Sequence, residues 1–175
     1  NDIINNEPYS ASSKSVPINF VENITLVKTV DPDTVICGGL VNYTYVVSNP
    51  GTINVTSINL TDDVLGNITL NGTNTATPPA NGTYISGDDG DNVLNPGESW
   101  IFNVTDHYIS SSVTNWGNVT GIGNVTKKLL WSKDDAHVAV TYLSINGTKF
   151  EDKNSKGTRD PGDPGLENWT IVLTF

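Results

Sequence analysis

Apolar residues recur at every second position in short runs along most of this chain, the period of a strand with one face in a core and the other in water. The clearest run is 99–105, where Trp100, Phe102 and Val104 alternate with polar neighbours. Others lie at 23–30, 40–48, 53–61, 67–70, 82–86, 112–121, 124–132 and 136–143. Within 53–61, Val55 is followed by Ile58 and Leu60. The alternation therefore slips by one near Ser57, as a β-bulge requires. Asn49-Pro50-Gly51, Asn71-Gly72, Asn81-Gly82 and Gly121 separate the runs at the spacing of a sandwich. No segment carries a helical period. The pattern predicts an all-β sandwich of Greek-key type over 23–142. A polar linker or donor arm at 1–22 precedes it, and a short second β element at 143–175 follows.

The second element predicts a strand, an acidic Gly-rich loop and a final strand at 168–175, where Trp169, Ile171, Leu173 and Phe175 alternate. So few residues cannot bury a core of their own. The expectation is that further residues of a longer polypeptide complete them, or that one or both ends pair with a neighbouring copy by strand addition. At the other end Ile18, Phe20 and Ile24 are spaced for one face of a donated strand.

Twelve N-x-T glycosylation sequons begin at Asn23, Asn42, Asn54, Asn59, Asn67, Asn71, Asn81, Asn103, Asn118, Asn124, Asn146 and Asn168. Chance pairing in this composition would give roughly four, with Ser as well as Thr. In nine of the twelve the middle residue is apolar. On a strand that places Asn and Thr in solvent and the middle side chain in the core, so N-linked glycans would project from strand faces as well as loops. The alternative is that Asn and Thr are simply the polar residues of exposed strand faces.

Charged residues are only 16% of the chain, so Asn, Thr and Ser supply the polar surface. A net charge of −10 argues against nucleic acid, whose phosphates call for Lys and Arg. No apolar run is long enough to span a bilayer. Methionine is absent, as expected of a processed or trimmed chain. Cys37, flanked by Val35, Ile36 and Leu40, reads as a buried free thiol, with an intermolecular disulfide as the alternative.

Residues 24–142 resemble the immunoglobulin-like OmcB-type repeat of archaeal and bacterial surface proteins. The resemblance is carried by ITLVKTV at 24–30, Gly39–Val47 with Ser48-Asn49-Pro50-Gly51, INLTD at 58–62, LNPGESW at 94–100 and 113–120. Residues 145–166, INGTKFEDKNSKGTRDPGDPGL, resemble the opening of a B-type domain of the serine-aspartate repeat surface proteins. Together they imply an immunoglobulin-like sandwich followed by a partial calcium-binding B-type domain at 143–175. They also imply an extracellular, cell-surface location in a stalk, adhesin, sheath or filament, without enzymatic activity.

Two acidic loops are candidate calcium sites. In the second, Asp152, Asn154, Thr158, Asp160 and Asp163 stand at positions 1, 3, 7, 9 and 12 of a loop with Gly157 at the sharp turn, the spacing with which calcium collects its oxygens. Lys156 at position 5 departs from it, offering only a carbonyl. In the first, Asp89, Asp91, Asn95 and Glu98 converge, although the register is one carboxylate short unless Asp88 turns inward. The alternative for both is a Gly-rich acidic turn without an ion. A third constellation is covalent. Surface sandwiches sometimes join a strand Lys to a strand Asn beside a buried carboxylate, and Lys28, Asn115 and Asp62 have suitable residue types; the alternative is a solvated Lys and a polar strand Asn. His107 and His137 fit no triad or zinc spacing. Trp100 and Trp169 read as core, with Trp116 and Trp131 open.

These readings lead to a glycosylated extracellular subunit of a filament, sheath or surface layer whose partners are copies of itself or neighbouring repeats. The alternative is a stalk or adhesin module of a long surface protein.

Overall fold

A computed structural model describes residues 19–69, 82–144, 146–170 and 172. The chain divides into two compact units, Asn1–Thr141 and Tyr142–Phe175. In the first, the described residues form β1 (Thr25–Asp31), β2 (Thr34–Ile36), β3 (Gly39–Ser48), β4 (Val55–Asp62), β5 (Gly66–Asn67), β6 (Thr83–Ser86), β7 (Ser99–Ile109), β8 (Val113–Gly123) and β9 (Leu129–Thr141). One sheet has the order β1-β3-β7-β6 and the other β2-β9-β8-β4-β5. All pairings are antiparallel except β2 with β9. This is the immunoglobulin-like Greek-key sandwich, in which the chain passes at Pro32 from β1 in one sheet to β2 in the other.

The alternation seen in the sequence builds the core. Val41, Tyr43, Tyr45 and Val47 of β3 and Trp100, Phe102 and Val104 of β7 point inward from one sheet. Ile58, Leu60, Val119, Ala136, Val138 and Val140 meet them from the other. β1 begins with Thr25 beside Ser48, and β9 finishes with Thr141 beside Ile36, past the far end of β1. The chain thus enters the sandwich at one end and leaves at the opposite one.

The bulge expected near Ser57 is present: the β4–β8 register shifts between Thr56 and Asn59, and Ser57 has φ 55°. Where sequence periodicity suggested two strands at 124–132 and 136–143, the chain forms the single strand β9. The polar stretch at 132–135, where the two runs meet, has a partner in β1. Ser132 Oγ accepts from the Leu26 amide at 3.1 Å and Asp134 Oδ2 from the Lys28 amide at 2.8 Å. Side chains of β9 thereby satisfy edge amides of β1 that no ladder reaches. β2 was not anticipated, since three residues are too few to show a period.

Three further expectations are corrected. Ile24 lies in the core of its own sandwich and is not available to a neighbour. Cys37 is exposed, because φ 57° at this residue turns it out of the β2–β3 connection. Trp169 is 60% exposed rather than core, with Lys149 Nζ 3.4 Å from its ring centroid. In the second unit the described residues form no strand, only an isolated bridge between Phe150 and Gly165. Ile171, Leu173 and Phe175 of the expected final strand, like Ile18 of the arm, lie outside the described residues.

Candidate functional site: a buried Lys-Asp-Asn cluster and the acidic loops

Lys28 shares the inward face of β1 with Leu26, and its side chain has no solvent exposure. Asp62, the last residue of β4, is equally enclosed, and Asn115 points inward from β8. The cluster joins the two sheets, since β1 belongs to one and β4 and β8 to the other. Lys28 Nζ lies 2.6 Å from Asp62 Oδ2 and 2.9 Å from the Asn115 main-chain oxygen, and it also donates to Asn115 Oδ1. Asn115 Nδ2 donates to the other carboxylate oxygen, Asp62 Oδ1, at 3.2 Å. Tyr45 Oη donates to Asp62 Oδ2 at 2.7 Å, and the Val64 and Leu65 amides donate to Oδ1 at 3.0 Å each.

Gly117, two residues after Asn115 on the same face, makes room for this arrangement. A Cβ there would stand 3.1 Å from Leu26, 3.3 Å from Tyr45 and 3.4 Å from the Lys28 Cδ. The Tyr43 and Tyr45 rings flank the amine, with centroids 5.0 and 5.4 Å from Nζ. Burial pushes the Lys28 ammonium below its ordinary value, against the opposing pull of Asp62. Burial also tends to raise the Asp62 carboxyl, but the hydrogen bonds from Lys28, Tyr45 and the two amides outweigh it and the net direction is down. Burial, then the bond to Asp62, raises the Tyr45 phenol. The three residues singled out in the sequence are therefore in mutual contact. Their face was legible, since Ile24, Leu26 and Lys28 share a parity as do Asn115, Gly117 and Val119; the roles of Tyr45 and Gly117 were not anticipated.

The first acidic loop connects β6 to β7. Asp88, Asp89 and Asp91 bring carboxylate oxygens within 4.8 Å of one another, an arrangement compatible with a metal ion. Asn95 joins through its Nδ2, which donates to Asp91 Oδ2 at 3.2 Å. Glu98 instead accepts from the Asn95 amide at 2.8 Å, bracing the turn, and Asp88 is the third carboxylate of the cluster. The Val93 amide, then Asn95, hold the Asp91 carboxyl below its ordinary value.

In the second loop Asp152 accepts from the amides of Gly157 at 2.6 Å, Lys156 at 3.2 Å and Asn154 at 3.3 Å, and it is lowered chiefly by the first. Asp160 Oδ2 accepts from Asn154 Nδ2 at 2.7 Å and Lys156 Nζ at 3.0 Å. Asp163 Oδ2 accepts from the Asp160 amide at 2.9 Å. Thr158 is exposed. The ammonium that departed from the calcium pattern thus occupies one of its carboxylates.

Ten of the twelve sequon asparagines are described, all but Asn71 and Asn81, and none of the ten is buried. Asn23, Asn42, Asn67, Asn124, Asn146 and Asn168 are exposed; Asn54, Asn59, Asn103 and Asn118 are half-buried. Ile24, Tyr43, Val55, Leu60, Ile68, Val104 and Val119 enter the core as middle residues, whereas Val125 and Trp169 stay outside. Two pairs of sequons interleave across strands. Thr61 faces Asn118 and Asn59 faces Thr120 on β4 and β8; Thr44 faces Asn103 on β3 and β7. Among the described residues one Thr departs from the rule: Thr69 is buried, its hydroxyl accepting from the Leu60 amide at 2.9 Å, because the chain bends after β5. His107 and His137 stand on strands of different sheets.

No family model matches this chain, and no curated protein matches it. Among solved structures it is similar to the CARDB domain of a protein from Pyrococcus furiosus, solved in complex with di-metal ions. The identity is 18% and the TM-score 0.36, over 73% of this chain and 95% of that one.

Proposed function

We propose that this chain is a heavily N-glycosylated, non-enzymatic structural subunit of an extracellular filament, sheath or surface layer. Its partners are further copies or neighbouring repeats, engaged end to end by strand addition. The observation that carries this reading is the placement of interleaved sequons on the outer face of each sheet. Sugars at Asn59 and Asn118 on one face and Asn42 and Asn103 on the other would keep sandwiches from stacking side by side. Only the ends remain for contact, and the chain enters at one and leaves at the other. The outer edge of β1 is already engaged at Leu26 and Lys28 by Ser132 and Asp134, which directs strand addition away from it. Calcium at Asp88, Asp89 and Asp91, and at the loop 152–163, would neutralise carboxylates that otherwise repel one another.

A stalk or adhesin module is the second reading. It is favoured by Trp116 and Trp131, both exposed on the outer face of β8 and β9, where a ligand could stack. Negative-stain microscopy of the secreted glycoprotein separates the two: fibres that lengthen with concentration for a filament, isolated rods for a stalk. Replacing Ile171 and Leu173 with Asp should abolish the fibres if the last segment is the donated strand. Intact glycopeptide mass spectrometry should find most sequons occupied, and occupancy at fewer than about four would sink the glycoprotein reading.

A further inference from the structure

The Lys28 cluster is an expensive thing to bury as a static ion pair, and its geometry suits a reaction. An ammonium and a carboxylate withdrawn from water lose hydration that their mutual attraction only partly returns. Here a third group is in contact with both. The Asn115 side-chain amide presents Oδ1 to Lys28 Nζ and Nδ2 to Asp62, so its carbonyl carbon lies directly beside the amine. One Asp62 oxygen touches the amine and the other touches the amide nitrogen that would leave.

We propose that Lys28 and Asn115 become joined by an intramolecular amide bond that the folded chain forms by itself, with Asp62 as the catalytic acid–base. A proton passes from Lys28 Nζ to Asp62 Oδ2, leaving a neutral amine and a neutral carboxylic acid, the pair that burial favours over two charges. The Nζ lone pair attacks Asn115 Cγ and forms the new C–N bond. Asp62 gives its proton to Nδ2 and takes up the second amine proton, the Cγ–Nδ2 bond breaks, and the nitrogen leaves as ammonia, with Asp62 left as the neutral acid. No oxidant, metal or cofactor enters the balance. Tyr45 positions the carboxyl through its hydroxyl, and the Tyr43 and Tyr45 rings keep water from competing for Cγ. The product ties the first strand of one sheet to β8 of the other. It stands independently of whether the chain polymerises.

The test uses the full 175-residue chain made without glycans in a bacterial host. The intact mass should fall short of the sequence mass by one ammonia, about 17 Da. Succinimide formation at Asn-Gly pairs sheds the same mass, so the digest decides. Trypsin with Asp-N protease should release segment 15–30 covalently joined to segment 106–127, with no cleavage after Lys28. Lys28→Arg and Asp62→Ala should restore full mass at this site and free cleavage between the two segments. Recovery of peptide 15–28 separate from 106–127 in the folded wild-type protein overturns the proposal, and it needs no variant to fold. A folded Asp62→Ala protein that still forms the joined pair overturns the role given to Asp62.

Discussion

Each unit gathers the same three kinds of side chain, a Lys and an Asn both bonded to one Asp, and uses them in opposite ways. In the sandwich Lys28, Asp62 and Asn115 come from strands far apart in sequence and have their charged tips sealed from water. In the loop Lys156, Asp160 and Asn154 lie within seven residues, and the Lys and Asp side chains are 62% and 31% exposed. The contact distances are similar, so distance does not make the difference. Solvent does. In the loop water screens the pair and makes the attraction worth little. In the core the charges have no hydration to fall back on, so neutral amine and neutral acid become accessible and the amine can act as a nucleophile.

The largest effect should come from removing the amide that completes the buried trio. Asn115→Ala leaves Lys28 and Asp62 without the acceptor of the reaction. A cross-link between these positions closes a loop of roughly ninety residues, which in the chain-entropy picture is worth about 4–5 kcal/mol. Denaturant midpoints of wild type and Asn115→Ala measure it. A difference no larger than a lost hydrogen bond, about 1 kcal/mol, would mean that no covalent closure contributes. The matching change in the loop, Asn154→Ala, should cost less than about 0.5 kcal/mol, since water replaces the lost bond.

Glycines sharpen the comparison next. Gly117→Val puts methyl groups where Leu26, Tyr45 and the Lys28 stem already lie, and overpacking of this kind costs about 1–3 kcal/mol. It should also slow loss of ammonia, measured by mass against time after refolding. Gly157 has open space around it and φ 79°, so Gly157→Ala fails for a different reason, left-handed backbone strain of about 1 kcal/mol. If Gly117→Val folds and reacts at the wild-type rate, the packing described around the amine is wrong.

Residue type singled out Lys28 and Asn115 and left a solvated Lys open; parity puts Lys28 with Leu26 and Asn115 with Val119, and a polar residue on a buried face asks for a partner. What parity cannot supply is depth along the strand. Whether Asp62 sits level with Lys28 depends on the sheet stagger and on the bulge at Ser57, which are set by long-range pairing. The same limit explains β9: Ser132 and Asp134 stand where two runs meet, and what joins the runs shows only once the unpaired amides of β1 are known. Periodicity failed most in the second unit, where Trp169 alternates like a core residue. Among the described residues it has no opposing sheet, and its ring takes the Lys149 ammonium instead. The acidic loop differs in that its contacts are local, within a dozen residues, so no long-range pairing is needed to bring Asp152, Asn154 and Asp160 near one another.

Acid should distinguish the loop on its own. Asp152 is lowered first by the Gly157 amide, and Asp160 first by Asn154 and then by Lys156. A carboxyl lowered in the folded state binds its proton later than in the unfolded chain. The stability it contributes is therefore complete above the unfolded value, about 3.9, and is lost as pH falls through the folded one. Carboxyl NMR titration should give midpoints for both below the ordinary Asp value. Midpoints at or above it would remove the hydrogen-bond set described here.

The smallest stability effect belongs to Lys156→Gln. An exposed i,i+4 ion pair is worth about 0.3–0.5 kcal/mol, so the melting temperature without metal should hardly move. The informative quantity is calcium. In the wild type the ammonium occupies Asp160, and an incoming cation must displace it. Glutamine leaves that carboxylate open and adds a neutral oxygen at the same position. Calcium affinity of the full chain, measured by calorimetry with the loop followed by Trp169 fluorescence, should rise on the substitution. Asp152→Asn should lower it. Equal affinities in all three proteins would show that any bound calcium sits elsewhere, and Asp88, Asp89 and Asp91 would be the next carboxylates to replace.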